Sequence, residues 1–149
     1  MAFKLEGDLG FLIARTHRAM RRWLASRLEP LGITYKQFKA LNALCKQENL
    51  SQIVLADRLQ MDKTSLARML CRMERAGLIH RQADEKDSRV NRIRLTTKGR
   101  HLALQVAPER DLGLSLATEG LSEKEIEELK RLLNQVYHNM SQTSKRQPT

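Results

Sequence analysis

Apolar residues first recur at helical spacing between about Asp8 and Glu29, where Leu9, Ile13, Met20 and Leu24 fall three, four or seven apart. Leu12, Thr16 and Trp23 lie beside that stripe, and Arg15, Arg18 and Arg22 take the opposite face. Pro30 predicts the end of this helix, because the residue before a proline avoids the helical region. Thr34 is placed to cap a second helix that carries Phe38, Leu41 and Leu44 inward. Two short helices follow, one capped by Ser51 over Gln52–Leu59 and one capped by Asp62 and starting at Lys63, with Gln60-Met61 between them. Gly77 suits the left-handed position that closes a helix, and Leu78 after it is placed to touch Met73.

The period then changes from helical to alternating. Leu78–Gln82 and Arg92–Leu95 read as strands around a charged loop from Ala83 to Asn91, with Ile93 and Leu95 on one face and Arg92 and Arg94 on the other. A long helical pattern with Leu102, Leu104 and Val106 begins near Thr97 or Lys98, and Pro108 is expected to kink or break it. Ser122-Glu123-Lys124-Glu125 is a capping box that opens a last helix. There Ile126, Leu129, Leu133, Val136 and Met140 step by three and four, the spacing of a helix that packs on another helix. The fold class expected is mainly α with a small β-hairpin. The expected segments are an N-terminal dimerisation helix in 1–32, a helix-helix-hairpin domain in 33–99, C-terminal dimerisation helices in 100–141 and a disordered tail in 142–149.

Charge sharpens this picture. The 149 residues carry a net charge of +10, with eleven basic against five acidic residues between Met61 and Arg100, and one against three between His101 and Gly120. Concentrated positive charge attracts polyanions by steering and by counterion release. Apolar runs are too short for a membrane span, the N-terminus has no signal-type apolar region, and two cysteines form no disulfide framework, so a cytoplasmic protein is expected.

The stretches from Ser51-Gln52-Ile53-Val54-Leu55-Ala56 to Arg75-Ala76-Gly77-Leu78-Ile79, then Asp87-Ser88-Arg89 and Leu95-Thr96-Thr97-Lys98-Gly99, resemble the MarR family of transcription regulators. Arg22-Trp23-Leu24 and Arg27 to Thr34 look most like its SlyA branch. The resemblance covers about residues 8–140. It implies a winged helix-turn-helix regulator, commonly a repressor, that binds inverted-repeat DNA as a homodimer. It also implies release by a small aromatic or phenolic effector held between the dimerisation helices and the DNA-binding part. Asp87 would then hold wing arginines in place. Two departures are Ser88, where many relatives have a second arginine, and Gln60, where glycine is frequent. The first is expected to change minor-groove affinity and the second to reshape the turn.

The residues support the same reading independently. On a helical wheel of 63–76, Leu66, Met69, Leu70 and Met73 share one face, and Thr64, Arg68, Cys71 and Arg75 point the opposite way with Ser65 and Arg72 beside them. Short hydroxyls permit close approach to a major groove, and Arg68 has the fork to donate twice to guanine. Lys86 and Arg89 extend from the hairpin tip as minor-groove contacts would. The DNA-contacting set is therefore Lys63, Thr64, Ser65, Arg68, Arg72 and Arg75 on the helix, with Lys86, Arg89 and Arg92 on the hairpin. A solvated helix face shows a similar pattern, and the hairpin behind it decides against that. Oxidation or alkylation of Cys71 on this face would obstruct docking, although a free cysteine is more often packing. An RNA-binding or protein-docking winged helix is the rival, and 4% aromatic content argues against base stacking. No catalytic motif is present, and His17, His80, His101 and His138 lie far apart with no cysteine at ligand spacing, so no enzyme, cofactor or metal is expected.

Overall fold

The computed structural model describes residues 7–87 and 89–146; the departure at Ser88 and the last three residues of the expected tail lie outside them. Asp8 opens α1 (Leu9–Leu28) by accepting the Phe11 N–H at 2.9 Å. Pro30 has no N–H to continue the ladder, so the chain leaves α1 in a 3₁₀ turn (Glu29–Leu31) closed by Gly32 at φ +69°. A reciprocal capping box starts α2 (Tyr35–Lys46): Thr34 Oγ1 accepts the Gln37 N–H at 3.3 Å, and Gln37 Oε1 accepts the Thr34 N–H at 2.8 Å.

β1 (Leu50–Ser51) leads into α3 (Gln52–Leu59), and α4 (Lys63–Arg75) follows after a short turn. The hairpin is β2 (Ile79–Ala83) and β3 (Asn91–Leu95), and β1 pairs antiparallel with β3, giving the order β1-β3-β2. Leu50 stands opposite Ile93, and Ile79 opposite Leu95. The alternation along β3 falls as its sequence suggests, with Ile93 and Leu95 buried. The two-residue β1 is too short to show any period in the sequence.

α5 (Thr97–Ala117) runs through Pro108 without a break, so of the expected kink or break the break does not occur. Proline removes one hydrogen bond, the one to the carbonyl of Leu104, and Leu104 is 66% exposed, so water can satisfy that group. Val106 at 0% exposure anchors the same turn in the core. α6 (Glu123–Arg146) starts at a capping box in which Glu125 accepts from the Ser122 N–H at 2.8 Å and Ser122 Oγ accepts the Glu125 N–H at 3.3 Å. It continues past residue 141, where the sequence reading ended the helix. Nothing in Gln142–Arg146 breaks a helix, and the Thr143 hydroxyl bonds back to the Asn139 carbonyl at 2.9 Å.

The chain divides into two compact units, Met1–Gly113 and Leu114–Thr149. In the first, Leu28, Leu41, Leu44, Leu55, Leu66, Leu70, Met73, Ile79 and Ile93 form one core beneath the hairpin. In the second, Leu129, Leu132, Leu133 and Tyr137 stay between 43% and 60% exposed along α6. Among the described residues no helix is long and apolar enough to cross a membrane.

Candidate nucleic-acid interface

Local chemistry sets the turn between α3 and α4. Ser51 Oγ accepts the Val54 N–H at 3.3 Å to start α3. Gln60 ends it in the left-handed region at φ +52°, and its side-chain amide donates to the Asp57 carbonyl at 2.7 Å. That conformation costs an L-residue about 1–2 kcal/mol, and the extra hydrogen bond offsets part of it. The departure from glycine is thus absorbed in place. Asp62 Oδ1 accepts the Ser65 N–H at 2.8 Å, and hydrogen bonding from Ser65 holds its carboxyl below the usual range.

α4 is divided lengthwise. Leu66, Met69, Leu70 and Met73 are buried against the core, while Lys63, Thr64, Arg68, Arg72 and Arg75 are exposed and Ser65 is half-buried. Cys71 is not free on that outward face: it is half-buried, and its Sγ accepts from Arg81 Nη2 at 3.3 Å. The helix closes in a Schellman motif, with the Leu78 N–H on the Met73 carbonyl and the Gly77 N–H on the Glu74 carbonyl, both at 2.9 Å, and Gly77 at φ +70°.

The run Leu95–Gly99 stitches this helix end to the exit of the hairpin. The Thr96 N–H reaches the Leu78 carbonyl at 3.1 Å, its hydroxyl donates to the Gly77 carbonyl at 2.6 Å, and Lys98 Nζ donates to the Ala76 carbonyl at 2.8 Å. Three carbonyls just beyond the end of α4, those of Ala76, Gly77 and Leu78, are thus satisfied by Thr96 and Lys98 at the start of α5. Gly99 is needed there because a Cβ would meet Leu78 O at 2.0 Å.

At the hairpin tip the organising side chain is Asp84. Its Oδ1 accepts the Lys86 and Asp87 N–H groups at 2.9 and 3.2 Å, its Oδ2 accepts from Arg92 Nε, and its N–H donates to the Val90 carbonyl at 2.8 Å. The Lys86 backbone bond, then Arg92, keep this carboxyl below its ordinary range. Asp87 pairs with Arg89 at 3.0 Å and takes its N–H at 3.0 Å, and the Arg89 guanidinium, more than the backbone bond, lowers the Asp87 carboxyl. Lys86 and Arg89 are exposed. Arg92, one of the expected contacts, is half-buried between Asp84 and the Asn49 carbonyl, 3.4 Å away, and its guanidinium braces the hairpin. Arg94 Nε donates to Asn49 Oδ1 at 3.0 Å, and Asn49 itself stands at φ +62°, a conformation asparagine tolerates. Sequence reasoning missed Asp84 and Asn49. The available signal was an aspartate placed to accept from N–H groups two and three residues on.

One open face of α4 and one hairpin tip therefore present Lys63, Arg68, Arg72, Arg75, Lys86 and Arg89, on a frame tied together by hydrogen bonds. Among the described residues no three His, Cys, Asp or Glu side chains come together to hold a metal ion.

Comparison with known proteins agrees. The MarR family signature matches residues 33–90. The chain is 36% identical over 134 residues to the organic hydroperoxide resistance transcriptional regulator of Bacillus subtilis (strain 168), covering 90% of this chain and 88% of that protein. Its fold is similar to that of the transcriptional regulator SlyA, with TM-score 0.84, 29% identity and coverage of 91% and 96%. It is also similar to that of a cysteine-to-serine mutant of MarR from E. coli in complex with operator DNA, with TM-score 0.82, 29% identity and coverage of 91% and 98%. The chain belongs to the MarR family of DNA-binding transcriptional regulators, and is not an enzyme.

Proposed function

We propose that this regulator binds inverted-repeat operators as a homodimer, represses from them, and is released by a small aromatic anion. The observation that carries the reading is the open face of α4, where Thr64, Arg68, Arg72 and Arg75 stand beside the hairpin with Lys86 and Arg89. In the proposed complex α4 enters a major groove with Arg68 on a guanine, and the wing lays Arg89 in the adjacent minor groove. Arg89 would exchange its Asp87 partner for the groove.

The exposed leucines of α6 support a dimer, since Leu129, Leu132 and Leu133 at 43–46% exposure need a second surface to cover them. A cavity of about 690 Å³ supports the effector. Arg21, Lys36, Lys39, Arg68 and Arg72 line it together with Asp62, and Tyr35, Leu59, Met61 and Met69 supply apolar wall. An aromatic carboxylate fits that lining, and its anionic group would occupy two arginines of the proposed reading face.

Selection from a randomised duplex library tests this reading. The expected product is an inverted repeat with half-site centres about 10 base pairs apart. Recovery of sequences no different from the starting library would overturn it, as would sedimentation as a monomer at micromolar concentration.

A further inference from the structure

We infer that Glu74 and Arg81 form a clasp that sets the wing against the reading helix, and so couples the minor-groove contact to the major-groove one. This rests on the DNA-binding reading above. Glu74 projects from the last turn of α4, and Arg81 lies mid-way along β2, seven residues on. One carboxylate makes three bonds: Oε1 accepts the Arg81 N–H at 3.1 Å, and Oε2 accepts Nε at 2.9 Å and Nη2 at 2.6 Å. Nη2 also reaches Cys71 Sγ on α4 at 3.3 Å, so the guanidinium is held by two residues one helical turn apart. Charge assistance fits the outcome, since the Arg81 guanidinium holds the Glu74 carboxyl below its ordinary range.

The position of the clasp gives it this role. β2 is an edge strand, and the Arg81 N–H on it is capped by the helix rather than by another strand. The base of the hairpin is already fixed by buried Leu78 and Ile79 and by the Thr96 and Lys98 bonds to the end of α4. Arg81 lies farther out, toward the tip. On the other flank, Arg92 and Arg94 tie β3 to Asn49. The wing is thus guyed from two sides, and the Glu74–Arg81 pair is the tie that joins β2 directly to the reading helix. Neither Glu74 nor Arg81 belongs to the exposed DNA-facing set, so their effect on binding would pass through the placement of Lys86 and Arg89.

Glu74→Gln tests this with little change in shape. The amide oxygen still accepts the Arg81 N–H, but its NH₂ now faces the guanidinium, donor against donor. On the duplex recovered by selection, Glu74→Gln is expected to weaken binding about threefold or more. Arg89→Ala is then expected to weaken Glu74→Gln much less than it weakens the parent, because the wing is already out of register. Footprints should separate the grooves: minor-groove protection at the flanks falls in Glu74→Gln, while guanine N7 protection in the half-sites persists. Independent, multiplying effects of the two substitutions, or equal loss of both protections, would overturn the clasp. A parent that protects neither groove would instead refute the DNA-binding reading, and the clasp with it.

Discussion

Gly99→Ala pits two effects of opposite sign against each other. By helix propensity, alanine in α5 is favoured over glycine by up to about 1 kcal/mol. By packing, the added Cβ would lie 2.0 Å from Leu78 O, 2.9 Å from Leu78 C and 3.3 Å from Leu78 Cα. All three atoms are backbone, so no rotamer change relieves the overlap. The Leu78 carbonyl also accepts the Thr96 N–H, and Leu78 is 4% exposed, so moving it disturbs both the stitch and the core. Overpacking of this kind costs about 1–3 kcal/mol or more, and the upper end applies when backbone must give way. The net expectation is a loss of roughly 2–3 kcal/mol, or a fall in Tm of roughly 5–10 °C for a chain of this length. Calorimetry of parent and variant at one fixed protein concentration measures it, since the proposed dimerisation would make Tm depend on concentration. An unchanged or raised Tm would show that α5 does not press on Leu78, and the account of the Leu-Thr-x-x-Gly run would fail.

The hairpin should be acid-sensitive. Asp84, Asp87 and Glu74 all have folded pKa values below their unfolded ones, so their contribution is complete above about pH 5 and is lost as pH falls through the lowered values. Hydrogen exchange of hairpin amides should accelerate, relative to core amides, as pH drops from 5 to 3, after correction for intrinsic exchange; constant protection would contradict this. Benzoate-class ligands should release the operator from the parent, and Arg21→Ala should raise the concentration for half release about tenfold while leaving ligand-free DNA affinity unchanged. Release that is insensitive to Arg21 would place the effector elsewhere. Cys71→Ser should bind the operator within about twofold of the parent, because Arg81 keeps its three bonds to Glu74. A larger loss in a direct titration would make the thiol part of the interface.

What the sequence carried well was local. Thr34, Ser51, Asp62 and Ser122 cap helices by side-chain bonds to residues three positions on, and Gly77 closes α4, so the chemistry and the structure share one short window. The amphipathic split of α4 was legible for the same reason: Leu66, Met69, Leu70 and Met73 define a face whatever covers it. Features made by distant chain were not legible. β1 exists because Leu50 meets Ile93, forty-three residues away. Arg92 reads as an exposed strand cation until Asp84 and Asn49 are brought beside it. A helical wheel puts Cys71 outward correctly, yet knows nothing of Arg81 lying over it. Pro108 announces a kink or a break, yet α5 continues through it with Leu104 exposed and Val106 buried just before it.

Titration of parent, Arg68→Ala and Arg89→Ala on the selected duplex and on a scrambled one, at several salt concentrations, tests the central claim most directly. Arg68 is exposed one turn into α4, where a bidentate base contact is available, so its loss should cost about 1–3 kcal/mol on the selected duplex and relax preference at one base pair per half-site. Arg89 is exposed on the wing, so its loss should weaken binding to both duplexes alike and reduce the salt dependence by about one phosphate equivalent or less. If Arg68→Ala binds the selected duplex as tightly as the parent does, α4 is not the reading helix.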